Sequence, residues 1–196
     1  MRVGKRPRLQ VEPLTPERWV DFVDLFGVRG ACGGCWCMFP RMTRSQFESK
    51  KGSGTRRAMR NLVASGTPPG VLGYLDGDAV GWCSVEPREA FSSLARSRIL
   101  KPVDERPVWS IVCLFIAREQ RGCGVSVRMI EGAVRWARSQ GARMVEAYPV
   151  EPRKSPMPAV FAYTGIASAY LAAGFREVAR RSETRPIMRR ALRARA

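Results

Sequence analysis

The residues best suited to chemistry stand at Arg121-Gly122-Cys123-Gly124-Val125-Ser126, between an apolar run and an amphipathic one. The first backbone N–H groups of a helix have no internal partner and carry partial positive charge, so they draw phosphate. Glycine lets the backbone approach a pyrophosphate without an intervening Cβ. Arg121 adds a permanent charge at the rim. The turn by itself signals an anion site and no more, because paired glycines before a helix also serve tight packing. Glu146, on the following strand, stands where a dinucleotide fold would keep its ribose-binding acid. Against that fold, Val127 takes the third glycine's place, an antiparallel hairpin precedes the unit, and little chain follows it.

The sequence contains no histidine. A Ser-His-Asp triad, a Cys-His pair and a His-ligated metal are therefore excluded. Proton transfer falls to carboxylate, Tyr, Cys, Lys or water. Cysteines stand at positions 32, 35, 37, 83, 113 and 123. Cys83 and Cys113 lie inside apolar strand-like runs, which suits buried free thiols better than disulfides. Cys32, Cys35 and Cys37 cluster in a Gly-rich loop, but a zinc site needs a fourth ligand, and nothing in the sequence brings one near. A close-packed, metal-free loop is expected.

The balance of 34 basic and 17 acidic side chains gives a net charge of +17, which concentrates polyanions near the surface. Of the basic residues 29 are Arg, a bias that a GC-rich genome alone produces. They are scattered instead of interleaved with aromatics on one stripe, which disfavours a dedicated nucleic-acid module. A length of 196 residues suits one domain over 1–196, and the 45% apolar content suits a soluble globular one. The longest apolar run, Ile111 to Ala117, falls far short of the ~20 residues of a membrane span. Met1 to Arg8 is basic without an apolar stretch behind it, so cytoplasm is the expected location.

Periodicity supplies the elements that must position these residues. Leu9, Val11 and Leu14 suggest a first strand. Thr15-Pro16 then opens a helix whose Trp19, Phe22, Val23 and Phe26 share one face. Thr43 and Gln46 form a capping-box pattern for a second helix that Gly52 ends, and Thr55 is read as the cap of a third. Val71 to Leu75 and Ala79 to Val85 flank Asp76-Gly77, a hairpin signal. Residues 86–107 read as a mobile polar excursion over the sheet. Val108 to Ile116 reads as a central strand, Ser126 to Gln140 as a helix, and Met144 to Tyr148 as a strand parallel to the previous one. A short helix over Ser168 to Ala173 and strands over Phe175 to Ala179 and Pro186 to Met188 follow. The fold class is α/β, a mixed sheet with helices on both faces.

Trp109 to Ile116 followed by Arg121 to Ser126 resembles the central strand and acetyl-CoA loop of GNAT acetyltransferases, whose loop reads R/Q-x-x-G-x-G/A. Arg121 and Gly124 match, and Ser126 replaces the final Gly or Ala. Tyr170-Leu171-Ala172-Ala173-Gly174-Phe175 looks like the family's Y-x-x-x-G-F segment, and the element order fits along nearly the whole chain. The resemblance implies a partly antiparallel GNAT-like sheet whose parallel strands splay to admit pantetheine. Acetyl-CoA would be the co-substrate, with no metal. Leu114, Phe115 and Ile116 would flank the thioester, with a backbone N–H near Phe115 or Ile116 polarising its carbonyl. Arg121, Gly122, Cys123, Gly124, Val125 and Ser126 would hold the pyrophosphate.

The same resemblance makes Tyr170 the donor that protonates departing CoA, with plain helix packing as its alternative. The amine, on a small molecule or a protein, would attack directly without an acyl-enzyme. Many GNAT enzymes carry a Glu base on the central strand, and Trp109 to Ile116 has no carboxylate. Alternation sets Met144, Glu146 and Tyr148 on one face of the next strand, so Glu146 is the first candidate base and Glu86 the second. The alternative for each is an ion pair with one of the many arginines. An acyl-CoA sensor without turnover stays open beside the enzyme, and so does a homodimer. The Gly27 to Cys37 loop and residues 86–107 are expected to shape the acceptor pocket.

Overall fold

The computed structural model describes residues 8–152 and 158–192. Seven strands form one sheet: β1 (Gln10–Pro13), β2 (Val71–Leu75), β3 (Asp78–Pro87), β4 (Trp109–Ile116), β5 (Met144–Ala147), β6 (Arg176–Arg180) and β7 (Pro186–Ala191). Their spatial order is β1-β2-β3-β4-β5-β7-β6. β4 and β5 run parallel, and every other neighbouring pair is antiparallel. The helices are α1 (Trp19–Phe26), α2 (Arg44–Lys50), α3 (Ser53–Ala64), α4 (Ser92–Arg96), α5 (Val125–Ser139) and α6 (Ala167–Ala172). The α/β class and the mixed sheet follow the sequence patterns.

Strand alternation sorts the core into two main clusters. Val71, Cys83, Ile111 and Val145 pack with Met129, Ile130, Ala133 of α5 and Tyr170 of α6. Leu72 and Trp82 point the other way, into Phe22 and Phe26 of α1 and Met59 and Val63 of α3. α5 lies very close on the sheet. A Cβ at Gly132 would stand 2.7 Å from Val11 Cβ, so only glycine lets the helix touch β1 there. At the hairpin tip Asp76 and Gly77 both have positive φ, the turn geometry that matches strand twist.

The Thr43 capping box forms as its pattern predicts, with Gln46 N–H donating to Thr43 Oγ1 at 3.2 Å and Thr43 N–H to Gln46 Oε1 at 3.0 Å. Two local expectations are corrected. Thr55 lies inside α3 instead of capping it; its buried hydroxyl donates to Gly34 O at 2.6 Å and pins the glycine-rich loop to the helix. Residues 86–107 are not a loose excursion. Phe91 and Leu94 of this segment bury against Val112, Tyr148 and Ile187, and the buried Arg88 donates to Leu100 O at 2.5 Å.

The feature that shapes the site is a bulge in β4. Ser84 pairs with Cys113 and Val85 with Ile111, leaving Val112 as an extra residue. Side-chain parity reverses across it: Ile111 and Leu114 both enter the α5 cluster, although three residues apart, while Val112 joins the cluster under α4. The β4–β5 ladder ends at the Ile111–Ala147 pair. The parallel strands therefore part where the bulge begins.

Candidate active site

The opening between β4 and β5 is entered by residues 163–167. Leu114 N–H donates to Tyr163 O at 2.7 Å, Val150 N–H to Gly165 O at 2.9 Å, and Ala167 N–H to Val150 O at 3.0 Å. Ala117 N–H donates to Val80 O at 2.9 Å, which fixes the alternation of the β3–β4 ladder. Cys113 and Phe115 thus direct their N–H groups to β3, and Leu114 and Ile116 direct theirs into the opening. With Leu114 engaged by Tyr163, Ile116 is the residue whose N–H faces the opening. Of the two positions that the sequence left open, Phe115 faces away.

A cavity of about 650 Å³ follows this parted edge. Leu114, Phe115, Ile116, Arg121 and Ser126 line one part, and Phe39, Phe47, Phe161 and Tyr163 line the other. The Gly27 to Cys37 loop contributes, through Ala31, Cys32, Gly33, Cys35 and Cys37. Residues 86–107 contribute nothing to the lining, because Arg88 ties them down elsewhere. Their expected place is taken by residues 160–166. The aromatic wall was missed in the sequence. Its only signal was Phe39-Pro40 and Phe161-Ala162-Tyr163, large rings in otherwise irregular chain.

At one end of this cavity lies the turn. Gly122 and Gly124 have φ of +77° and +75°, and α5 begins at Val125. A Cβ at either glycine would meet no protein atom within 4 Å, so that face of the turn is bare backbone. Arg128 N–H donates to Gly124 O, while Val125, Ser126 and Val127 precede the first intrahelical bond. Arg121 Nε donates to Ile116 O at 3.0 Å, holding its cation beside the strand end. Val125 buries its side chain in the core and offers only backbone. The exposed Cys123 and Gly124 also border a second groove, flanked by Arg8, Arg128, Glu131 and Arg135. The whole turn suits a diphosphate, with further cations beyond it.

Tyr170 is buried in α6 and donates to Thr164 O at 2.9 Å. Gly165 separates it from the cavity: a Cβ there would stand 3.4 Å from the Tyr170 hydroxyl and 3.1 Å from Leu114 Cδ2. The hydroxyl thus lies directly behind the cavity wall. Burial pushes its pKa well above the usual phenol value, which keeps it protonated.

Glu146 stands apart from the cavity. Its carboxylate is buried, with Oε1 accepting from Arg88 Nη1 at 3.0 Å and from the Tyr148 hydroxyl, and Oε2 accepting from Arg189 Nε at 2.6 Å. Arg189 also reaches Asp104 at 2.7 Å. Burial, with the adjacent Glu146 charge, pushes the Tyr148 phenol far up. Glu86 is likewise buried and pairs with Arg41, whose guanidinium also donates to Ser84 Oγ and Pro69 O at 3.3 Å. Burial pushes the Glu86 carboxyl up, and Arg41 opposes it. For both carboxylates the ion-pair alternative describes the geometry, and neither lines the cavity.

All six cysteines are free thiols. Cys35, Cys37 and Cys113 line the cavity, and burial pushes the Cys35 thiol up to about 11. Among the described residues no group of three His, Cys, Asp or Glu is arranged to hold a metal ion, and no helix is long and apolar enough to cross a membrane.

Residues 37–162 match the model of the acetyltransferase (GNAT) family. A GNAT-family acetyltransferase from Streptococcus agalactiae is similar over 94% of this chain and 96% of its own, at 11% identity and a TM-score of 0.57. One from Listeria monocytogenes is similar over 94% and 95%, at 12% identity and 0.57. PaiA N-acetyltransferase from Thermoplasma acidophilum, determined in complex with coenzyme A, is similar over 94% and 99%, at 12% identity and 0.53. At these identities the likeness is one of fold. No curated protein matches the sequence.

Proposed function

Because the chain belongs to the GNAT acetyltransferase family, we propose that it moves the acetyl group of acetyl-CoA directly to an amine. The observation that carries this reading is the continuity of one cavity from Arg121 and Ser126, along the parted edge of β4, to Tyr163. The backbone N–H groups opening α5 would receive the pyrophosphate, with Arg121 beside them. Ile116 N–H would donate to the thioester oxygen as negative charge develops there. Tyr170, behind Gly165, would deliver a proton to the leaving sulfur, and its raised pKa keeps that proton available. We assign Glu146 to holding β5 and β7 together through its arginines, not to proton transfer. Six free thiols suit a reducing, cytoplasmic setting.

Calorimetric titration with acetyl-CoA tests the reading. Micromolar binding by the wild-type chain is expected. Gly124→Val should abolish it, since valine narrows the turn and is strained at φ +75°, by roughly 1–2 kcal/mol. An unchanged circular dichroism spectrum would show that Gly124→Val still folds. Equal binding by both proteins would remove the turn from the site.

A further inference from the structure

We propose that the acceptor is a neutral aromatic amine, its nitrogen borne directly on the ring, seated in the aromatic part of the cavity. This proposal rests on the acetyl-transfer reading above and names the substrate class for the same site. It begins from what the cavity lacks. All seventeen Asp and Glu residues lie within the described segments, and none lines the cavity. The two that the sequence offered, Glu86 and Glu146, are buried and held by arginines. The charged side chains that line it among the described residues, Lys51 and Arg121, are both cations. With no histidine in the chain either, no carboxylate or imidazole among the described residues lines the cavity to pair with an ammonium ion or take its proton.

An alkylamine meets two obstacles here. With a Lys-like pKa of about 10.4, only about one molecule in two thousand is the neutral nucleophile at pH 7. The remainder are cations entering an apolar cavity with positive neighbours, on a chain of net charge +17. An aniline-type nitrogen shares its lone pair with the ring and is neutral at pH 7, so it needs neither a carboxylate nor a base before it attacks.

The walls fit such a molecule. Phe39 stands edge-on to Phe47 at 5.2 Å and to Tyr163 at 6.3 Å between ring centroids. Such rings favour edge-to-face contact with a further planar ring. Phe161, 59% exposed, and Phe39, 42% exposed, keep apolar surface at the cavity mouth. The aniline lone pair forms the new N–C bond while the C–S bond breaks with its electrons on sulfur. The surplus proton on nitrogen leaves to water. Tyr170 protonates the sulfur and is reprotonated by solvent, so the products are the N-aryl acetamide and free CoA.

The test compares 4-methoxyaniline with 4-methoxybenzylamine, with product measured by mass spectrometry and CoA binding measured separately by calorimetry. At pH 7 the aniline should show a kcat/KM at least about tenfold higher, because the apolar cavity and its cations disfavour entry of the charged benzylamine. Its rate should stay flat from pH 6 to 9, while the benzylamine rate should rise about tenfold per pH unit below its own pKa. Phe161→Asp places a carboxylate at the exposed rim without touching the core, and should shift preference toward the benzylamine by at least about fivefold. CoA binding combined with equal or better use of the benzylamine at pH 7, or with no turnover of the aniline, overturns the substrate class alone. Failure to bind CoA overturns the acetyl-transfer reading and this proposal with it.

Discussion

Glu146→Gln separates a structural carboxylate from a catalytic one. The side chain is fully shielded, and its partners Arg88 and Arg189 are only 10% and 4% exposed, so solvent screening discounts little. Glutamine keeps the shape and one acceptor but removes the charge that both guanidinium groups face. Breaking a buried pair in this way costs about 3–5 kcal/mol, because Arg88 is left buried without a carboxylate, although Arg189 keeps Asp104. Against a typical domain stability of roughly 5–15 kcal/mol, the loss is large. For a chain of this size it lowers Tm by roughly 6–20 °C. Hydrogen exchange should also quicken across residues 88–100, which Arg88 anchors through Leu94 O and Leu100 O. Activity measured well below the new transition should stay within about threefold of wild type. A variant with unchanged Tm whose kcat fell by the ~10²–10⁴ of a lost general base would refute the reasoning and make Glu146 catalytic.

Other outcomes follow from the same geometry. Tyr170→Phe should lower kcat by at least about 10² with little change in acetyl-CoA binding, since the hydroxyl acts only as sulfur departs. In the wild type kcat should not decline through pH 9, because burial raises the phenol pKa and the proton is lost only above it. A near-wild-type kcat in Tyr170→Phe, with chemistry rate-limiting, would return Tyr170 to packing. Iodoacetamide at pH 8 should label the exposed Cys32 and Cys123 early. Cys35, with its thiol near 11, is thiolate in roughly one molecule in a thousand at that pH and should label slowly, about tenfold faster per added pH unit. Early labelling of Cys35 would contradict its raised thiol pKa.

The sequence made legible whatever is local. Arg121 to Ser126 is contiguous, so its glycines and the helix behind it could be read together. The Asp76-Gly77 hairpin and the Thr43–Gln46 cap were likewise set by neighbours in the chain. The β4 bulge was not legible, since Val112 becomes the extra residue only through its register with β3. The partners of Glu146 were hidden for a similar reason: Arg88 and Arg189 lie 58 and 43 residues away, among 29 arginines with nothing to distinguish them. Thr55 looked like a cap because a hydroxyl before an apolar helical face usually is one; its bond to Gly34 exists only in the folded loop. The aromatic wall joins Phe39 and Phe47 to Phe161 and Tyr163 across more than a hundred residues, a convergence that no periodicity encodes.

The central claim is acetyl transfer to an amine, and one measurement meets it most directly. The purified chain is incubated with acetyl-CoA and a panel of aromatic, alkyl and peptide amines, and the products are separated and weighed by mass spectrometry. The expected result is an acceptor heavier by one acetyl group, with free CoA formed in equal amount, and no product from Gly124→Val. Tight acetyl-CoA binding without an acetylated product from any amine in the panel would contradict the claim.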